Sequence, residues 1–144
     1  DPPASHFVRS GDLLFSRANT RELIGATALV RDVASNLLLP DKLWRFVWRE
    51  PRRVEPLFVQ ALFRTPAVRQ TIGQRASGTS GSMKNISQEK VLEMETILPP
   101  IDTQQRFAAR IAAIDSLKAA HRASLAEMDA LFASLQHRAF RGEL

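Results

Sequence analysis

A chain of 144 residues, 44% of them hydrophobic, has the make-up of a folded protein of one domain plus an arm, or of two small units. It contains no cysteine, which excludes disulfides and thiolate metal sites, and no apolar run approaches the length of a membrane span. The net charge of +5 is unevenly placed: between Lys42 and Ile86 nine Lys/Arg stand against two acids, Glu50 and Glu55. Such a stretch suits a polyanion partner, DNA or RNA, or else a solubilising surface.

Residues 1–11 read as irregular because of Pro2, Pro3 and Gly11. Asp12 to Ser16 forms a short, mostly buried strand, and Arg17 to Glu22 a polar loop leaving its end. Ala26 to Val30 is a second strand, followed by a turn and the apolar run Leu37-Leu38-Leu39. From Leu43 to Arg49, Trp44, Phe46 and Trp48 alternate with Arg45, Val47 and Arg49, the period-two pattern of a strand. These aromatics read as core before base-stacking platforms. Pro56 opens a helix through Leu62, and Thr65-Pro66 caps and opens another to about Arg75. After a small, flexible Ser77–Ser82 stretch, Ser87 caps a helical turn from Gln88 to Leu92, and Glu93 to Leu98 is expected to be a last strand. The body is therefore α+β, with strands mostly early and helices late.

From Pro99 to Leu144 the chain carries no Pro or Gly between Pro100 and Gly142. Asp102 with Gln105 three residues on resembles a capping box. Phe107, Ile111, Ile114, Lys118, His121, Leu125, Met128, Phe132 and Leu135 follow in steps of four and three, a heptad seam. A helix of about 37 residues is roughly 55 Å long. Its apolar stripe is expected to meet a second long helix from another copy or another protein. Lys118 and His121 either set register in that pairing or face solvent.

Catalytic and metal-binding patterns are missing from the sequence. His6, His121 and His137 are scattered, and no Gly-rich phosphate loop precedes a helix. The loop Arg17-Ala18-Asn19-Thr20-Arg21 is the sharpest binding candidate: Arg pairs bidentately with guanine, Asn with adenine, and Thr touches phosphate or a thymine methyl. The bland reading is a solvated polar turn. The segment Gly78 to Asn85, with Thr79, Ser80, Lys84 and Asn85, suits phosphate contact or serves as a flexible connector. Arg52, Arg53, Arg64, Arg69 and Arg75 are further candidates for phosphate contact.

Three of these stretches carry a family resemblance. Gly11 to Asn19 resembles the GDILFSRAN stretch in target-recognition domains of type I restriction-modification specificity subunits. Gly78 to Ile86, then Leu98-Pro99-Pro100-Ile101 with Gln104 and Gln105, resembles the end of such a domain and its PPxxEQ junction, with Thr103-Gln104-Gln105 departing from the commoner acid–Gln pair. The ending Leu135 to Leu144 is similar to the end of the family's helical region. The resemblance implies a non-catalytic, cofactor-free DNA-recognition protein of the bacterial or archaeal cytoplasm. Its two recognition domains each read half of a split site on double-stranded DNA. Two antiparallel helices space the domains and dock methyltransferase subunits, and the restriction subunit joins the assembly through them. Ten residues precede Gly11 where the family has a substantial portion, so residues 1–98 are expected to be a partial target-recognition domain and 99–144 a spacer and dimerisation arm, giving a homodimer. A helical assembly module that binds no DNA, or an inactive truncated subunit, is the rival reading.

Overall fold

A computed structural model describes residues 2–78 and 83–143. The chain divides into two compact units, Asp1–Gln105 and Arg106–Leu144. The first unit is built on a three-stranded antiparallel sheet. Strand β1 (Leu13–Ser16) lies between β3 (Thr27–Leu29) and β4 (Leu43–Arg45). Its register sets Phe15 opposite Thr27 on one side and Trp44 on the other. Leu13 and Phe15 point inward, as an alternating strand requires.

Phe15 is the hub of the core. Trp44 stacks on it at 5.8 Å between ring centroids, and Phe46 and Phe63 meet it edge-on. Ile24, Ile72 and Ile86 close the cluster, with Val68, Val91 and Met94 packed around it. The Trp44/Phe46 alternation therefore does serve the core, although the strand itself stops at Arg45 and Val47 is 85% exposed. Offset and edge-on aromatic packing of this kind adds to the stability supplied by buried area.

Helix α1 (Pro56–Phe63) starts at a proline after Glu55, whose carboxylate accepts a hydrogen bond from Leu57 N–H. Helix α2 (Pro66–Arg75) also begins at a proline, but Thr65 does not cap it as expected. The Thr65 hydroxyl instead donates backward to Leu62 C=O at 2.7 Å, satisfying a carbonyl at the end of α1. Ser87 does cap α3 (Gln88–Leu92), accepting from Lys90 N–H.

Two expectations fail. Residues 93–98 form no strand: Met94 packs on the core, Ile97 is 84% exposed, and the segment has no ladder of hydrogen bonds. Residues 1–11 are less irregular than their prolines suggest. After a 3₁₀ turn at Ala4–His6, Phe7 bridges Leu38, and Val8 is buried. An ion pair missed by pattern reading holds this segment. Arg45 Nε stands 2.9 Å from Asp12 Oδ2, off the direction of a true hydrogen bond. Asp12 also accepts from Arg9 N–H at 2.7 Å, and Arg45 donates to the Phe7 and Ser5 carbonyls.

The last helix, α4 (Ile101–Phe140), begins one residue before Asp102. Pro100 C=O accepts the first helical bonds, from Thr103 and Gln104 N–H, so Asp102 sits inside the first turn rather than capping it. Its charge there favours the helix N-terminus. Gln104 is completely buried within the first unit. Its Oε1 accepts from Glu55 N–H at 3.0 Å, while Nε2 donates to Arg53 C=O at 3.0 Å and to Pro99 C=O at 2.7 Å.

In the second unit Ile114, Leu125, Met128, Phe132 and Leu135 are exposed, and Lys118 and His121 face solvent with them. Leu117 and Leu131, one residue before Lys118 and Phe132, are exposed too and broaden the stripe. Phe107 and Ile111 are half-buried. No helix among the described residues is long and apolar enough to cross a membrane.

Candidate nucleic-acid interface

Described residues of the two stretches singled out in the sequence pair with each other. Immediately after β1, β2 (Ala18–Asn19) pairs antiparallel with β5 (Lys84–Asn85), setting Ala18 opposite Asn85 and Asn19 opposite Lys84. Ile86 N–H donates to Arg17 C=O at 3.0 Å, and buried Ile86 anchors the end of β5 in the core. On its other edge β5 is bridged to Ser77, with both backbone bonds at 2.8 Å. The turn after β2 and the residues Ser77, Lys84 and Asn85 thus share one support.

Arg17, Asn19, Thr20 and Arg21 occupy different environments. Arg17 Nε donates to Asp41 C=O at 2.6 Å, and its guanidinium lies 5.9 Å from the centre of the Trp44 ring. Asn19 Nδ2 donates to Ser16 Oγ at 3.1 Å, and its Oδ1 accepts from Thr20 N–H at 2.8 Å. Both ends of the carboxamide are engaged, which orients it. Thr20 and Arg21 are exposed, at the head of a turn closed by Leu23 and Ile24 N–H bonding to Thr20 C=O. Glu22 adds an acid to this turn. Its own backbone N–H and the Thr20 hydroxyl hold its carboxyl below the usual carboxylate range, with Arg21 assisting.

The outlying cations are also tied into the fold. Arg69 on α2 donates to Ile24 C=O and Glu22 C=O. Arg75, at the end of α2, donates to Lys90 C=O at 2.8 Å, and Lys90 Nζ returns a bond to Arg75 C=O at 3.1 Å. Lys84 Nζ donates to Gly78 C=O at 2.8 Å. Thr79 and Ser80 lie outside the described residues. Arg64 and Arg52 are exposed, and Arg53 pairs with Glu50 at 3.2 Å. Among the described residues no group of three or more His, Asp or Glu stands together as a metal site would require.

Of the two guanidiniums in the Arg17–Arg21 turn, Arg21 is the exposed one, with oriented polar groups beside it and further cations around the paired strands. Such a surface can place a guanidinium against a base edge while neighbouring N–H and hydroxyl groups meet phosphate. The roles of Arg69 and Gln104 were not legible as patterns. Gln104 stands out in the sequence through the junction resemblance behind Pro99-Pro100, which says nothing of its burial.

No protein-family model matches the chain. The type I restriction enzyme EcoKI specificity subunit of Escherichia coli (strain K12) is 32% identical to it over 145 residues, covering 96% of this chain and 31% of the relative. The type I restriction enzyme EcoEI specificity subunit of Escherichia coli is 27% identical over 110 residues, covering 76% of this chain and 18% of the relative. The chain spans less than a third of the length of these curated relatives.

Proposed function

We propose that this chain, homologous along 96% of its length to a type I restriction enzyme specificity subunit, contributes DNA recognition to such a system. In this reading residues 1–98 bind double-stranded DNA. Residues 99–144 pair with a second long helix, in a homodimer or docked on methyltransferase subunits, through which a restriction subunit is recruited. The chain supplies recognition, its companions supply the chemistry, and the assembly works in the cytoplasm of a bacterium or archaeon without a cofactor on this chain.

The β2–β5 pairing is the observation that carries the reading. It gathers base-reading candidates from Arg17–Arg21 and the phosphate-holding candidates Lys84 and Asn85 onto one support. Phosphate contacts would fix the orientation of the body, and base-edge contacts from Arg21, Asn19 and Arg17 would fix sequence preference. Arg21 carries most of the second role, because it can engage a base without first breaking a bond inside the fold.

Retardation of duplex DNA, measured against salt, tests the reading. Affinity is expected to fall as salt rises, with a log–log slope of about −0.9 per phosphate contacted. Arg21→Ala is expected to change the preferred sequence and leave the melting temperature where it was. Unchanged preference in that variant would refute base reading by the turn, and salt-insensitive retention would refute the phosphate contacts.

One observation favours a second reading. Arg17, Arg69, Arg75 and Lys84 all have partners inside the protein, while the α4 stripe is exposed. A helical assembly module would show the same features. It predicts dimers by light scattering together with no DNA retardation at low salt.

A further inference from the structure

We infer that Arg69 is a positioning residue for the Arg17–Arg21 reading turn, gripping it from behind rather than contacting phosphate. The inference rests on the DNA-reading assignment proposed above. Nη1 of Arg69 donates to Ile24 C=O at 2.5 Å and Nη2 to Glu22 C=O at 2.6 Å. One guanidinium therefore spans two carbonyls of the same turn, two residues apart. Its planar fork is pre-organised for such a pair, whereas an ammonium is a point charge that cannot match it. Both terminal nitrogens, which would clasp a phosphate end-on, are already engaged.

The residue one helical turn later completes the grip. Ile72, fully buried on the same face of α2, presses against Gly25, where a Cβ would lie 2.6 Å from Ile72 Cγ2 and 3.3 Å from Arg69 Nη1. Gly25 has φ +71, so both its conformation and the close approach call for glycine. Ile24 is buried in the core, and Gly25 N–H donates to Ser16 C=O at 2.7 Å. The rear of the turn, residues 22–25, is thus clamped between α2 and the end of β1. Its front, Thr20 and Arg21, remains at the surface. A reading side chain gains precision when its backbone is held in this way.

Arg69→Lys separates the two roles, because it keeps the charge and removes the fork. Backbone amide exchange at Leu23, Ile24, Gly25 and Ala26 is expected to quicken by about tenfold for each charged hydrogen bond lost, with the amides of β1 and β3 unchanged. Discrimination between DNA sequences is expected to fall while the salt slope stays at its unsubstituted value. Rates and discrimination like those of the unsubstituted chain in Arg69→Lys would overturn the inference. In a second variant, Arg69→Gln, a salt slope shallower by about 0.9 with discrimination intact would also overturn it, making Arg69 a phosphate contact. Absence of any sequence preference in the unsubstituted chain would remove the DNA-reading assignment itself, and the exchange rates would still decide whether Arg69 holds the turn.

Discussion

Replacing Gln104 is expected to destabilise the first unit more than any change on the neighbouring surface of α4. The side chain is fully buried and makes three hydrogen bonds to backbone groups of Glu55, Arg53 and Pro99. Gln104→Ala strands one N–H and two carbonyls, and a buried group left without its partner costs about 1 kcal/mol or more. The three together come to about 3 kcal/mol, before any contribution from the void. For a unit of this size that loss lowers the melting temperature by on the order of 15 °C. Gln104→Glu is the sharper probe. A carboxylate still accepts from Glu55 N–H but faces two carbonyls to which it cannot donate. Burial and those carbonyls would raise its pKa above the unfolded value, so the folded state would bind more protons. The variant's stability should then fall as pH rises through the carboxylate range. Trp44 and Trp48 both lie in the first unit, so their fluorescence follows its unfolding, while far-UV circular dichroism also senses the rest of α4. A Gln104→Ala melting curve shifted no further than that of an ordinary surface substitution would refute this reasoning.

Three further outcomes are expected. Asp12→Ala, which leaves Arg45 without its carboxylate, is expected to cost about 3 kcal/mol in urea unfolding, and a much smaller change in midpoint would show that the ion pair is incidental. Leu125→Asp, on the exposed stripe, is expected to abolish self-association in light scattering while leaving the tryptophan-reported melting of the first unit unchanged; persistence of the dimer would place the pairing face elsewhere. Because the Glu22 carboxyl is held below its usual range, its contribution to the turn is present at neutral pH and is lost as pH falls through its lowered folded value. Amide exchange at Leu23 and Ile24, corrected for the intrinsic pH dependence, should therefore show lost protection only toward the acid end, and lost protection already near neutrality would contradict the assignment.

The amino-acid sequence by itself determined whatever depends on residues close along the chain. Proline at the first turn of α1 and of α2, Ser87 before α3 and the heptad steps from Phe107 to Leu135 are local signals, and each produced a helix where it predicted one. The inward alternation of Trp44 and Phe46 was legible for the same reason, since side-chain direction in extended backbone repeats every second residue. The candidate loops could be named, but not joined. Pairing of Asn19 with Lys84, the Asp12–Arg45 ion pair, the grip of Arg69 on Glu22 and Ile24, and the burial of Gln104 against Arg53 and Glu55 all link residues far apart in sequence. A polar side chain looks the same in sequence whether it faces water or spans two distant carbonyls. Only the tertiary structure decided, because the partners' positions follow from how the sheet and helices pack. The expected strand at residues 93–98 failed on the same ground, since a strand exists only where another strand offers it hydrogen bonds.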